Sequence, residues 1–83
     1  MAKTFQVGIY SSDKIIYEGR AVSLIAPSTE GFLGILADHA PLVARLKPGA
    51  ITFKDSSGKA AVINTQSRGY LEILQNKATI LLD

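Results

Sequence analysis

Turn-forming residues interrupt this chain at such short intervals that no regular element can be long. They stand at Ser11-Ser12-Asp13, Pro27-Ser28-Thr29-Glu30-Gly31, Lys47-Pro48-Gly49, Asp55-Ser56-Ser57-Gly58, Gln66-Ser67-Arg68-Gly69 and Gln75-Asn76, with a further break at 37–40 ahead of Pro41. Between these breaks, apolar residues alternate with polar ones or form short β-branched runs. No stretch of helical length carries the i, i+3, i+4, i+7 stripe of an amphipathic helix. The pattern predicts an all-β domain: a two-sheet β-sandwich or flattened barrel of about eight to ten short strands.

The expected strands cover 4–10, 15–18, 20–26, 32–36, 42–46, 50–54, 59–65, 70–74 and 77–82, with 27–31 breaking the pairing. Pro41 and Pro48 suit strand ends, where a missing N–H costs nothing. Gly58 suits a hairpin loop that needs positive φ. Gly31 and Gly34 read as positions needing unusual φ or close backbone approach. The expected core is Phe5, Val7, Ile9, Val22, Leu24, Leu33, Ile35, Val43, Ile51, Phe53, Val62, Tyr70, Leu71, Ile73, Ile80 and Leu82, and the pattern leaves open whether Phe32 faces in or out.

Size and composition narrow the function. The 83 residues are expected to form one domain, 1–83, and with 47% hydrophobic residues the chain is too apolar for disorder. There is no cysteine, which excludes disulfides and thiolate metal sites. No apolar run approaches a bilayer span and the N-terminus lacks a signal-peptide block, so the chain is expected to be neither embedded nor exported. Nine basic residues against seven acidic ones give a net charge of +2. They are spread along the chain rather than gathered into a patch, which argues against nucleic acid as a partner.

The residues that could carry chemistry are few. His39, beside Asp38, invites a general base with an orienting carboxylate, but neighbours on an extended segment point to opposite sides. No nucleophile elbow accompanies them. The carboxylates Asp13, Glu18, Glu30, Asp38, Asp55, Glu72 and Asp83 are scattered singly, without ligand spacing, so neither a metal site nor a catalytic residue is expected. Gly58-Lys59 lacks the rest of a phosphate loop and reads as a hairpin turn. Phe32, Tyr17 and Tyr70 could act as stacking rings in a free-standing ligand-binding sandwich, though no convergent polar set accompanies them. The residues favour an interaction module, and no cofactor is expected.

Several short motifs occur in a fixed order: Glu30-Gly31 with Leu33-Gly34-Ile35; His39-Ala40-Pro41-Leu42; Leu46-Lys47-Pro48-Gly49; Gly69-Tyr70-Leu71-Glu72-Ile73; and a final run over 78–83. With 7–10, 15–19 and 22–25 ahead of them, they resemble, across essentially the whole chain, the N-terminal β-sandwich of the epsilon subunit of the F-type rotary ATP synthase. That resemblance implies a non-catalytic central-stalk subunit that turns with the gamma subunit and rests on the polar loops of the membrane c-ring. It implies a peripheral place on the cytoplasmic face of the bacterial inner membrane, or the organelle equivalent, in support of proton-coupled ATP synthesis. Carried over residue by residue, Ser28, Glu30, Gly31 and Phe32 are expected to face the c-ring. Ser11, His39, Ala40, Leu42 and Val43 are expected to face gamma. Many members continue past the position of Asp83 into a two-helix hairpin that carries inhibition of ATP hydrolysis and, in some, nucleotide binding; those two activities are not carried over.

Overall fold

A computed structural model describes residues 3–83, so the first two residues of the expected domain lie outside the described residues. Eight strands follow one another: β1 (Phe5–Ser11), β2 (Lys14–Ser28), β3 (Gly31–Ile35), β4 (Leu42–Leu46), β5 (Gly49–Asp55), β6 (Ala60–Thr65), β7 (Gly69–Leu74) and β8 (Lys77–Leu82). The all-β sandwich expected from the alternation is thus what forms.

The strand β2 organises the fold. At 15 residues it is long enough to serve both layers of the sandwich. Its first half pairs antiparallel with β1, from Ser11↔Lys14 to Phe5↔Ala21. Its second half pairs with β5 on one edge and β3 on the other. One layer therefore runs β3-β2-β5-β6 and the other β2-β1-β8-β7-β4. A single bridge, Ser28↔Leu46, ties β4 to the end of β2 and flattens the whole into a barrel. The pairing of β1 with β8 is parallel, and the remaining ladders are antiparallel.

Two expected breaks in β2 do not occur. Gly19 does not separate two strands: it pairs with Val7, and the Tyr17 ring covers it so closely that a Cβ there would meet the hydroxyl at 2.5 Å. Pro27 and Ser28 do not end the pairing either, since they lie opposite Phe32 and Gly31. Pro27 has no N–H to place and joins the sheet through its carbonyl, which accepts from the Lys47 N–H at 2.9 Å.

The core holds Phe5, Val7 and Ile9 of β1 against Leu24, Ile35, Ile51 and Phe53 of the facing layer, with Leu71, Ile73, Ile80 and Leu82 beside them. Fully burying one such side chain is worth about 1.5–3 kcal/mol. Leu46, Ala21, Ala26 and Ala78 also belong to this core, though the sequence reading left them out. Three residues expected inside lie outside: Val43, Val62 and Tyr70 are all exposed. Each stands next to an inward side chain, Leu42, Ile63 or Leu71, so the period of two sends it outward. Val22 is only half-buried because the β2–β5 register slips between Ala21 and Ser23, leaving it as the extra residue of a bulge.

Gly34 fits neither reason proposed for it. It has no positive φ, and a Cβ added there would meet nothing within 4 Å. Gly69 is the glycine that close approach demands, because an added Cβ would lie 2.1 Å from the Leu81 carbonyl oxygen.

Candidate functional site

The β2–β3 turn is held from both sides. Thr29 and Glu30 form its tip. The Ser28 hydroxyl accepts from the Glu30 N–H at 3.2 Å and donates to the Gly31 carbonyl, while Gly31 takes φ +116°, a conformation open mainly to glycine. From the other side, the Thr29 N–H donates to the Arg45 carbonyl at 3.0 Å, next to the Lys47–Pro27 bond. Ser28 is only 5% exposed, so its hydroxyl shapes the turn from within. Glu30 and Gly31 are exposed, and Phe32 stands 72% exposed on the outer face of β3. An aromatic ring and a carboxylate are thus presented to solvent on a stiff support.

The same turn forms one wall of a groove of about 340 Å³. Ser28, Glu30 and Phe32 line one side, and Leu42, Val43 and Arg45 line the other. Residues expected to face two different partners therefore meet along one surface. Leu42 packs inward against the core, whereas Val43 is 70% exposed.

The remaining expected gamma-facing residues divide between the two ends of the β1-β8-β7-β4 layer. His39 and Ala40 precede β4 at the end marked by the β7–β8 turn, because Leu42 pairs with Ile73. The His39 Nδ1 lies 2.7 Å from the Ala40 carbonyl and so donates to it. The Asp38 carboxylate is taken by Lys3 at 3.2 Å rather than by the imidazole, which removes the geometry a base dyad would need. Ser11 sits at the opposite end, just beyond the Tyr10↔Leu81 pair, where its hydroxyl donates to Asp13 at 3.0 Å.

Between those ends the outer face of the layer carries residues that sequence reasoning did not assign to a surface. Cross-strand register aligns Tyr10, Leu81, Tyr70 and Arg45 in one row, with Gly8, Thr79, Glu72 and Val43 in the next. Val43, Tyr70 and Leu81 converge on a shallow cleft of about 220 Å³. The available signal was the pair of apolar doublets Tyr70-Leu71 and Leu81-Leu82, in which one member of each must point out.

The three rings considered for ligand stacking do not gather. Tyr17 packs on Phe53 with centroids 4.5 Å apart, Phe32 lies in the groove and Tyr70 lies in the shallow cleft. Among the described residues no three His, Asp or Glu side chains cluster as metal ligands would. Among the described residues, the two titrations that the fold displaces are remote from the groove. The Tyr10 phenol is raised chiefly because it donates to the Glu18 carboxylate at 2.8 Å. The Asp55 carboxyl is lowered chiefly by the Ser57 hydroxyl, with the Lys59 N–H next in order. No helix among the described residues is long and apolar enough to cross a membrane.

Fold and surface together define a small β-sandwich whose built features are clamped turns and outward apolar side chains. Residues 4–83 match the family model of the ATP synthase, Delta/Epsilon chain, beta-sandwich domain, and the chain belongs to that family. Similar proteins include the ATP synthase epsilon chain of Dichelobacter nodosus, 43% identical over 82 residues that cover 99% of this chain and 56% of that one. The epsilon chain of Leptospira interrogans is 42% identical over 82 residues, covering 99% of this chain and 63% of its own. The chain thus spans less than two thirds of these relatives' length. A chain of the Euglena gracilis mitochondrial ATP synthase superposes with a TM-score of 0.84 at 22% identity, over 92% of this chain and 48% of that one. A chain from the central stalk and c-ring structure of the Tetrahymena thermophila enzyme gives 0.71 at 18% identity, over 98% and 64%. These two likenesses establish the fold.

Proposed function

We propose that this domain is a non-catalytic part of the central stalk of a proton-translocating F-type ATP synthase, joining the gamma subunit to the c-ring and supporting the coupling of proton flow to ATP synthesis. The observation that carries this reading is the clamped turn at 28–32, which holds Phe32 and Glu30 out in solvent in a chain of the delta/epsilon family. An exposed ring on a rigid turn offers a partner apolar area to bury, and a carboxylate beside it can meet polar loops. Glu30, Gly31 and Phe32 are assigned to the c-ring, with Ser28 shaping the turn behind them.

His39, Ala40 and Val43 are assigned to gamma, with Leu42 supporting them from the core side and Ser11 extending that contact along the layer through Leu81 and Tyr70. On this reading the domain is peripheral to the membrane, held there through the complex on the cytoplasmic face of the bacterial inner membrane or its organelle equivalent. Mixing the chain with the gamma subunit tests it. A complex should form, and no association at concentrations on the order of tens of micromolar would overturn the assignment.

A further inference from the structure

Asn76 belongs to none of the contacts assigned above, yet it ties three separate segments together. Its side-chain carbonyl accepts from the Asp38 N–H at 2.7 Å and its side-chain amide donates to the Thr4 carbonyl at 3.0 Å, across 38 and 72 positions of sequence. Its own backbone carbonyl accepts from the Gln6 N–H at 3.1 Å. Asn76 takes φ +59° and Asp38 takes φ +62°, so two residues in the left-handed region are bonded directly to each other. Asparagine and aspartate tolerate that region better than most residues, but they hold it where local bonds fix them.

Asp38 is the point at which the chain leaves β3 and turns into His39, Ala40 and then β4. Its other tether is the ion pair with Lys3, whose two side chains are 82% and 59% exposed. Such a pair is screened by salt and constrains little. The Asn76 amide, half-buried and bonded at both ends, is the stronger constraint.

We propose that Asn76 is a positioning residue for the gamma-facing loop: by fixing Asp38 in its left-handed conformation, it sets the direction in which His39, Ala40 and the start of β4 are presented. This inference rests on the gamma assignment made in the preceding subsection. Asn76→Gly keeps the backbone conformation and the bond from Gln6 but removes both side-chain bonds. Asn76→Asp keeps an acceptor for the Asp38 N–H but replaces the donor to Thr4 with a carboxylate oxygen that opposes the Thr4 carbonyl and adds charge beside Asp38.

The experiment measures binding of each full chain to the gamma subunit, together with amide exchange at Asp38 in the free chain. Asn76→Gly should bind gamma about fivefold more weakly, the value of roughly one net hydrogen bond, and its Asp38 amide should exchange faster. Asn76→Asp should protect its Asp38 amide better than the glycine variant does, because the acceptor remains. Equal binding by the glycine variant, or an unchanged Asp38 exchange rate, would overturn the inference. So would an Asp38 amide that exchanges equally fast in both variants, since only the aspartate variant keeps its acceptor. A parent chain that fails to bind gamma, with Asp38 exchange still dependent on Asn76, would instead sink the gamma assignment.

Discussion

Phe32→Ala should separate docking from folding. With the ring 72% exposed, a little over a quarter of its surface is removed from water. Truncating a fully buried phenylalanine costs about 3–5 kcal/mol, and the buried share of that is about 1 kcal/mol. In a domain of this size such a loss lowers the melting temperature by about 4–8 °C. If Phe32 is an anchor of the c-ring contact, the same truncation should weaken binding by about 2 kcal/mol or more, close to thirtyfold. Urea unfolding of the isolated chain measures the first quantity; binding to detergent-solubilised c-ring and proton pumping by the assembled enzyme measure the second. Glu30→Lys is the companion change, expected within about 0.5 kcal/mol of parent stability with weakened pumping. A stability loss well above 2 kcal/mol would show that the Phe32 ring is core. Unchanged binding and pumping would remove it from the docking surface.

The glycines offer a second test, read by urea unfolding. Gly69→Ala should lose about 1–3 kcal/mol or more because the new methyl meets the Leu81 carbonyl at 2.1 Å, and Gly31→Ala about 1–3 kcal/mol through its φ of +116°. Gly34→Ala, with neither obstacle, should be neutral or stabilising by up to about 1 kcal/mol, and a large loss there would contradict this account. Leu46→Ala, which cuts a side chain only 1% exposed, should cost about 2–5 kcal/mol by the same measurement. The Asp55 carboxylate accepts from the Ser57 and Lys59 amides at 2.9 and 3.0 Å and from the Ser57 hydroxyl, and its pKa is lowered on folding. Its stabilising effect is therefore present above the unfolded carboxyl value and disappears as pH falls through the folded one. The stability gap between parent and Asp55→Ala should be full at pH ~7 and close in the acid range below ~4; a gap independent of pH would refute the mechanism.

The strands were legible because each side chain's face follows from a period of two, and six of the expected segments, from 32–36 onward, formed within a residue or two of their expected bounds. What failed was the choice of face in three of the apolar doublets. In Tyr70-Leu71, Val62-Ile63 and Leu42-Val43 both phases satisfy the alternation, and only cross-strand register decides between them. The bulge at Val22 changed the phase within β2, which a strictly alternating reading cannot anticipate. Of the site, the turn was legible from Glu30-Gly31, whereas the outward direction of Phe32 was left open by the alternation. The clamp by Asn76 was not, because a side chain that bonds a residue 38 positions away leaves no local pattern.

Sequence reasoning also treated the segments at 28–32 and 39–43 as two separate contacts, and their union in one groove changes what a stalk domain of this kind could do. The tip of the turn reaches β4 through the Thr29 N–H bond to Arg45, and the Lys47 N–H bond to Pro27 secures the other side of the same bridge. Val43 lies two residues from Arg45 on the same strand, and both side chains point outward. On the proposed assignment, a load taken up at Phe32 would pass to the gamma-facing strand through the clamped turn, two backbone hydrogen bonds and one strand segment. Strands clamped in this way resist bending better than a chain of side-chain contacts does, because bending must break backbone hydrogen bonds as well as displace side chains. Weakening that bridge should therefore loosen coupling even when each partner still binds. Ser28→Ala, which removes the hydroxyl that fixes the turn but leaves the backbone bridge to Leu46 of β4 in place, should lower proton pumping more than it lowers affinity for gamma. Equal affinity and equal pumping in that variant would show that the two surfaces act independently.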